Sequence, residues 1–287
     1  IGRIKIIGTV IHPACYILKF YKAHGGIFRK AIENGESIWS DRFSLKKLDA
    51  QKKKYGTRVF NQEFMNNPIN EEDSMIKPLW LENTQYTELP IFKGILYKVI
   101  MMDPQAGETK TADNYGIVIG GKCRGDKHKY ILNVFTGKNT QINQASLLVR
   151  TWQENTNVII VGVEKIITQV AVYQLILDWK HGIIDLVNVN NNKRDIPILA
   201  IEPEGKDKVA RMQELEPEFE RGEIHLHSMM KGLKDNLTAF PNCEHDDDVD
   251  ALMYVIKYLD NIASISSYEQ TLASCQTEVG NINQTKF

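Results

Sequence analysis

From residue 95 onward, apolar runs alternate with polar segments, and two of the runs end on a carboxylate. Ile95 to Met102 is a continuous strand-like run closed by Asp103, and Val158 to Val163 is a second closed by Glu164. Short apolar runs bounded by polar or turn residues predict buried strands. Tyr115–Gly120 and Lys129–Phe135 predict two more strands, antiparallel neighbours joined through residues 121–128. Helical spacing is predicted at about 141–153 and 168–180, near 206–216 and 228–239, and from Asp247 to about 261, with short strands at 184–189 and 223–226. Three early strands followed by alternating helix and strand predict an α/β layer architecture.

The first 75 residues follow a different pattern. A β-branched strand from Ile4 to Ile11 ends at His12-Pro13, and a helix is predicted from Ala14 to Tyr21. Ser44 is placed to cap a helix from Leu45 to Lys54 that Gly56 ends, and Phe60 to Pro68 reads as a short helix. With one strand, this segment has no sheet of its own. The expected division is 1–75 as an incomplete domain, 76–94 as a proline-punctuated linker, 95–262 as a core that closes on itself, and 263–287 as a polar tail.

Composition narrows the function. The 287 residues are 43% hydrophobic and 25% charged, with a formal net charge of −1, so contact with DNA must come from local basic patches rather than a global field. Cys15, Cys123, Cys243 and Cys275 lack CxxC spacing, which disfavours a zinc site or a disulfide framework. No apolar run approaches the roughly 20 residues of a membrane span.

The chemistry lies in the acids. Carboxylates at strand ends and at a helix start can converge at one edge of a sheet, where their repulsion is costly unless a divalent cation offsets it. Asp103-Pro104 alone could be a turn, and aspartates at a helix start can simply complement its dipole. Glu164, continuing a buried strand, is harder to explain that way, and Asp250 lies among apolar residues one turn after Asp246 and Asp247. Oxygen ligands suit Mg2+ or Mn2+, and two such ions about 3.5–4 Å apart are the apparatus for in-line attack on a phosphodiester. Lys206, Lys208 and Arg211 are candidates to hold DNA phosphate, or else a solvated helix face. His225, His227 and His245 are expected to be structural or to support the acids from behind.

These residues resemble the large terminase subunit of tailed double-stranded DNA phages and prophages. The resemblance runs through Asp103-Pro104 with Asp113-Asn114-Tyr115, Val163-Glu164 with Gln169, Lys206 to Arg211, Phe219 to Ile224, and Phe240-Pro241 followed by Asp246 to Leu252. Ile7-Gly8-Thr9, Trp39 to Ser44 and Phe60 to Pro68 resemble the end of that family's packaging ATPase and its junction with the nuclease. The resemblance implies an RNase H-like mixed sheet flanked by helices, preceded by an ATPase-domain remnant and linker. It also implies Asp103, Glu164 and Asp247 as principal metal ligands, with Asp246 and Asp250 as alternates for the third, and Asp113 in support. The stretch Lys165-Ile166-Ile167-Thr168 departs from the polar pattern of the family.

The implied activity is a two-metal endonuclease that cuts concatemeric double-stranded DNA when packaging starts and stops. A small terminase subunit and a portal protein are the implied partners, in the host cytoplasm and transiently at the procapsid portal. Without a GxxxxGK[ST] phosphate loop, no ATP hydrolysis is expected from this chain, which begins at Ile1 and is expected to be a fragment or a truncated product. Two alternatives remain: another RNase H-like nuclease of resolvase or transposase type, and a non-catalytic module that docks on DNA or portal. Metal-dependent DNA cleavage separates the last from the others.

Overall fold

The structure, a computed structural model, describes residues 5–10, 15–67, 74–104, 114–165, 170–203, 205 and 207–261. The loop containing Asp113, together with Gln169, Lys206, Cys275 and the polar tail, lies outside the described residues. In chain order the elements are α1 (Tyr16–His24), β1 (Ile32–Glu33), β2 (Glu36–Ser37), α2 (Leu45–Glu63), α3 (Pro78–Thr84), β3 (Leu96–Asp103), β4 (Tyr115–Cys123) and β5 (Lys129–Gly137). Then follow α4 (Gln141–Gln153), β6 (Val158–Glu164), α5 (Val170–Lys180), β7 (Ile198–Ile201), α6 (Lys208–Glu220), β8 (Ile224–Leu226), α7 (Lys231–Ala239) and α8 (Asp247–Asp260).

Six strands form one mixed sheet in the order β7-β6-β3-β4-β5-β8. β3, β4 and β5 make an antiparallel meander, while β6 runs parallel to β3, β7 to β6, and β8 to β5. Successive side chains of a strand point to opposite faces, and the two cores follow that alternation. Val99, Met101 and Val118 face α3, α6, α7 and α8, whereas Ile100, Met102, Ile117 and Ile119 face α4 and α5. Because both faces are covered, these strands read as unbroken apolar runs.

Several expectations need correction. Residues 184–189 are not a strand. Asn191 Oδ1 accepts from the Leu186 amide at 3.2 Å, and the edge place beside β6 is taken by β7, which pairs in parallel with Val161–Glu164. Residues 5–10, the described part of the strand expected from Ile4 to Ile11, form no strand either: they make no ladder among the described residues, and Ile7 is 94% exposed. Conversely, the first 75 residues do hold a small hairpin, β1 with β2, turned by Asn34-Gly35 with φ of 51° and 82°. Asn-Gly is a sequence signal for a tight hairpin turn.

The core of 95–262 does not close on itself. Met75, Ile76 and Leu81 are buried in the α8-side core, so part of the stretch expected as a linker is packed interior. α2 also docks on α6. Ser44 caps α2 by accepting from the Lys47 amide, and Gly56, at φ 81°, breaks its helical path. Beyond the break, Glu220 of α6 accepts from the Thr57 amide at 2.8 Å and from its hydroxyl. One turn earlier on α6, Glu216 pairs with Arg58 at 2.6 Å, both side chains under 10% exposed.

Candidate functional site

Strand register brings the first two acids together. Met102 pairs with Val163 across the parallel β3–β6 ladder, so Asp103 and Glu164, the next residues of each strand, end neighbouring strands at the same edge. Asp103 shares its face with Met101, and Glu164 shares its face with Gly162, which lies against Met101. Both acids therefore point to the α8 side. Both are buried, at 8% and 6% exposure. The Tyr254 hydroxyl, from the second turn of α8, donates to Glu164 Oε1 at 2.8 Å.

The third acidic group arrives on the first turn of α8. Burial raises the Asp103 carboxyl well above the usual carboxylate range, and the charges of Glu164, Asp250 and Asp247 raise it further, with a hydrogen bond to Glu164 acting the same way. These residues lie far apart in sequence, yet they interact directly. Asp248 turns aside: it is buried and accepts from Asn236 at 3.0 Å on both oxygens.

The basic residues of α6 are paired with acids of α8. Lys208 Nζ lies 2.7 Å from Asp246 Oδ2 and 2.5 Å from Asp250 Oδ2, and Arg211 Nη2 lies 2.8 Å from Asp250 Oδ1. Residues three apart on one helix thus meet residues four apart on another. Both oxygens of Asp250 are engaged, so it serves here as a counter-ion. Burial raises its carboxyl, against the lowering effect of Lys208 and Arg211. Burial would lower Lys208, but its hydrogen bonds to Asp246 and Asp250 prevail and hold it above its ordinary value. Arg211 is 12% exposed, lies over the Tyr254 ring at 5.3 Å, and has Nε and Nη1 buried without a hydrogen-bond partner. A phosphate-gripping role fits Lys208, at 46% exposure, better than Arg211. Replacing Arg211 with methionine is accordingly expected to cost about 3 kcal/mol, the lower end for breaking a buried pair, because Lys208 remains beside Asp250. Denaturant titration reads this loss directly. A stability unchanged within error would return Arg211 to the surface.

Among the described residues, no three or more His, Cys, Asp or Glu side chains form a ready-made metal site. The donor set nonetheless suits a hard divalent cation: buried carboxylate oxygens whose mutual repulsion a cation would relieve. Two of the candidate histidines bond backbone carbonyls, His225 Nδ1 to Thr84 at 3.1 Å and His227 Nε2 to Thr87 at 3.0 Å, while His245 Nδ1 is buried without a hydrogen-bond partner. Tyr254 and Asn236 were missed in the sequence. Tyr254 stands four residues after Asp250 in an otherwise apolar helix, which marks it as sharing that face.

No match was found among curated proteins. In fold, the chain is similar to the large terminase of a thermophilic bacteriophage, with TM-score 0.54 and 11% identity over 77% of this chain and 52% of that one. The ADP complex of the same phage protein gives TM-score 0.53 and 10% identity, over 75% and 52%. A Mn-soaked, inhibitor-bound terminase nuclease domain of human cytomegalovirus is more distant, at TM-score 0.46 and 16% identity over 67% of this chain and 97% of that one. The chain thus spans about half the length of the thermophilic phage terminase. The family described as the terminase RNaseH-like domain matches residues 100–259, from within β3 to the last turn of α8, so Asp103, Glu164 and the acidic start of α8 fall inside the match. On that match, this chain belongs to the terminase RNaseH-like domain family.

Proposed function

We propose that this chain carries a metal-dependent endonuclease centre that cuts double-stranded DNA during viral genome packaging. The observation that carries this reading is the convergence of Asp103 and Glu164, buried on neighbouring strand ends, with the acidic first turn of α8. Asp103, Glu164 and Asp247 would hold Mg2+ or Mn2+, with Asp246 less suited because Lys208 already engages it. Bound there, such ions would supply an activated water and charge neutralisation at the scissile phosphate.

The chain's own residues prepare that chemistry. Tyr254 fixes one oxygen of Glu164, leaving the other to turn toward a ligand. Lys208 and Arg211 hold Asp250, which offsets part of the negative charge at the helix start while the other acids stay available. Lys208 stands where it can meet the DNA backbone. A small terminase subunit would choose the cutting site and a portal protein would receive the complex, in the host cytoplasm and transiently at the procapsid portal.

Supercoiled plasmid incubated with the chain should be nicked and linearised with Mn2+ or Mg2+ and left intact with a chelator. DNA binding without cleavage under any of these conditions would favour the docking-module alternative instead.

A further inference from the structure

β4 carries two glycines, Gly116 and Gly120, on the face that meets α8, the same face as Val118. Neither has a positive φ, so each has ordinary strand backbone that any residue could adopt. Space is the reason for glycine here. A Cβ on Gly116 would lie 2.5 Å from the Asp247 carbonyl carbon and 2.8 Å from the Asp248 nitrogen, and nearer still to the Asp247 oxygen. A Cβ on Gly120 would meet Val255 Cγ1 and, at 3.0 Å, Leu259 Cδ1.

The two clashes differ in kind. Side-chain ends at Gly120 can rotate or shift, whereas the backbone over Gly116 can be relieved only by moving the helix start. Gly116 is also the cross-strand partner of Asp103. A close backbone approach of α8 to the sheet therefore falls beside the first acid of the cluster, at the residue that bears the third.

We infer that Gly116 is a positioning residue for the carboxylate cluster: the side chain it lacks lets α8 descend far enough for Asp247 to share a cation with Asp103 and Glu164. The inference rests on the cation-binding reading above. The Tyr254–Glu164 hydrogen bond fixes the next turn of the same helix, so a displaced helix start would tilt away from the acids rather than slide along them.

Calorimetric titration of the full chain with Mn2+ tests this. Gly116→Ala should weaken Mn2+ binding at least about tenfold. Gly120→Ala, on the same strand and against the same helix, should lower the melting temperature but leave Mn2+ affinity within about twofold. Asp247→Glu should weaken binding in the native background yet restore part of it in Gly116→Ala, where the longer side chain spans the added gap. Mn2+ affinity in Gly116→Ala equal to that in Gly120→Ala would overturn the inference. If Gly116→Ala does not fold, Asp247→Glu alone decides. A firmly seated helix predicts about a tenfold loss, and unchanged affinity overturns the proposal. Failure of the unmodified chain to bind Mn2+ would remove the cation reading itself, an outcome distinct from a native site that ignores Gly116.

Discussion

Replacing Asp103 with asparagine is expected to reduce DNA cleavage by about 10³-fold while making the metal-free protein harder to unfold. The loss would follow from removing a buried oxygen donor at the proposed metal centre, since single electrostatic groups at a reacting centre carry effects of this size. The gain follows from the neighbours: burial and the charges of Glu164, Asp250 and Asp247 all raise the Asp103 carboxyl. A group raised in the folded state stabilises the fold below its unfolded pKa, and that contribution is lost as pH rises through its folded value. Metal-free stability should therefore fall as pH climbs from about 4, and asparagine should flatten that fall. Melting curves in chelator across pH 4–8 test it, with a rise of about 3 °C expected near neutrality for roughly 1 kcal/mol. A lower melting temperature at pH 7 for Asp103→Asn would show that the carboxylate is stabilised rather than strained.

The second large effect concerns the docking of α2 on the sheet domain. Arg58→Met leaves Glu216 buried without its cation and should destabilise the protein by about 3–5 kcal/mol. The double replacement Arg58→Met with Glu216→Leu should recover most of that loss, because an apolar pair of similar volume has no desolvation cost to offset. Burial already raises Glu216, against the lowering by Arg58. Without Arg58 its folded value rises further, so the penalty should be small at pH 4 and full at pH 7. A penalty independent of pH would mean that lost packing, not stranded charge, is responsible.

The sheet was legible because β3, β4 and β6 are covered on both faces and so are apolar throughout. β7 escaped notice because it is only Ile198–Ile201, behind a charged stretch and a proline. Residues 184–189 do not form the expected strand: Ile184-Asp185-Leu186-Val187-Asn188-Val189 has strand composition, and composition does not reveal that a later segment takes the edge. The acids were legible as charges interrupting apolar runs. The pairing of Lys208 and Arg211 with Asp250 was not legible, since sequence shows a charge and not which neighbouring helix answers it. Gly116 left no signal at all, because a glycine needed for clearance looks like any other glycine until the opposing backbone is in place.

The order of the elements along the chain has a consequence for synthesis. Asp103 closes the first strand of the sheet, whereas Asp247 opens the last described helix, the one that fills much of one core face. At ordinary translation rates, on the order of ten seconds separate the emergence of these two residues from a ribosome. Throughout that interval the nascent polypeptide has neither its third acid nor the helix that shelters the first two. On the proposed reading, a centre that requires all three acids would stay inert during its own translation, and would become competent to cut only once α8 has been made and has settled over Gly116 and Gly120.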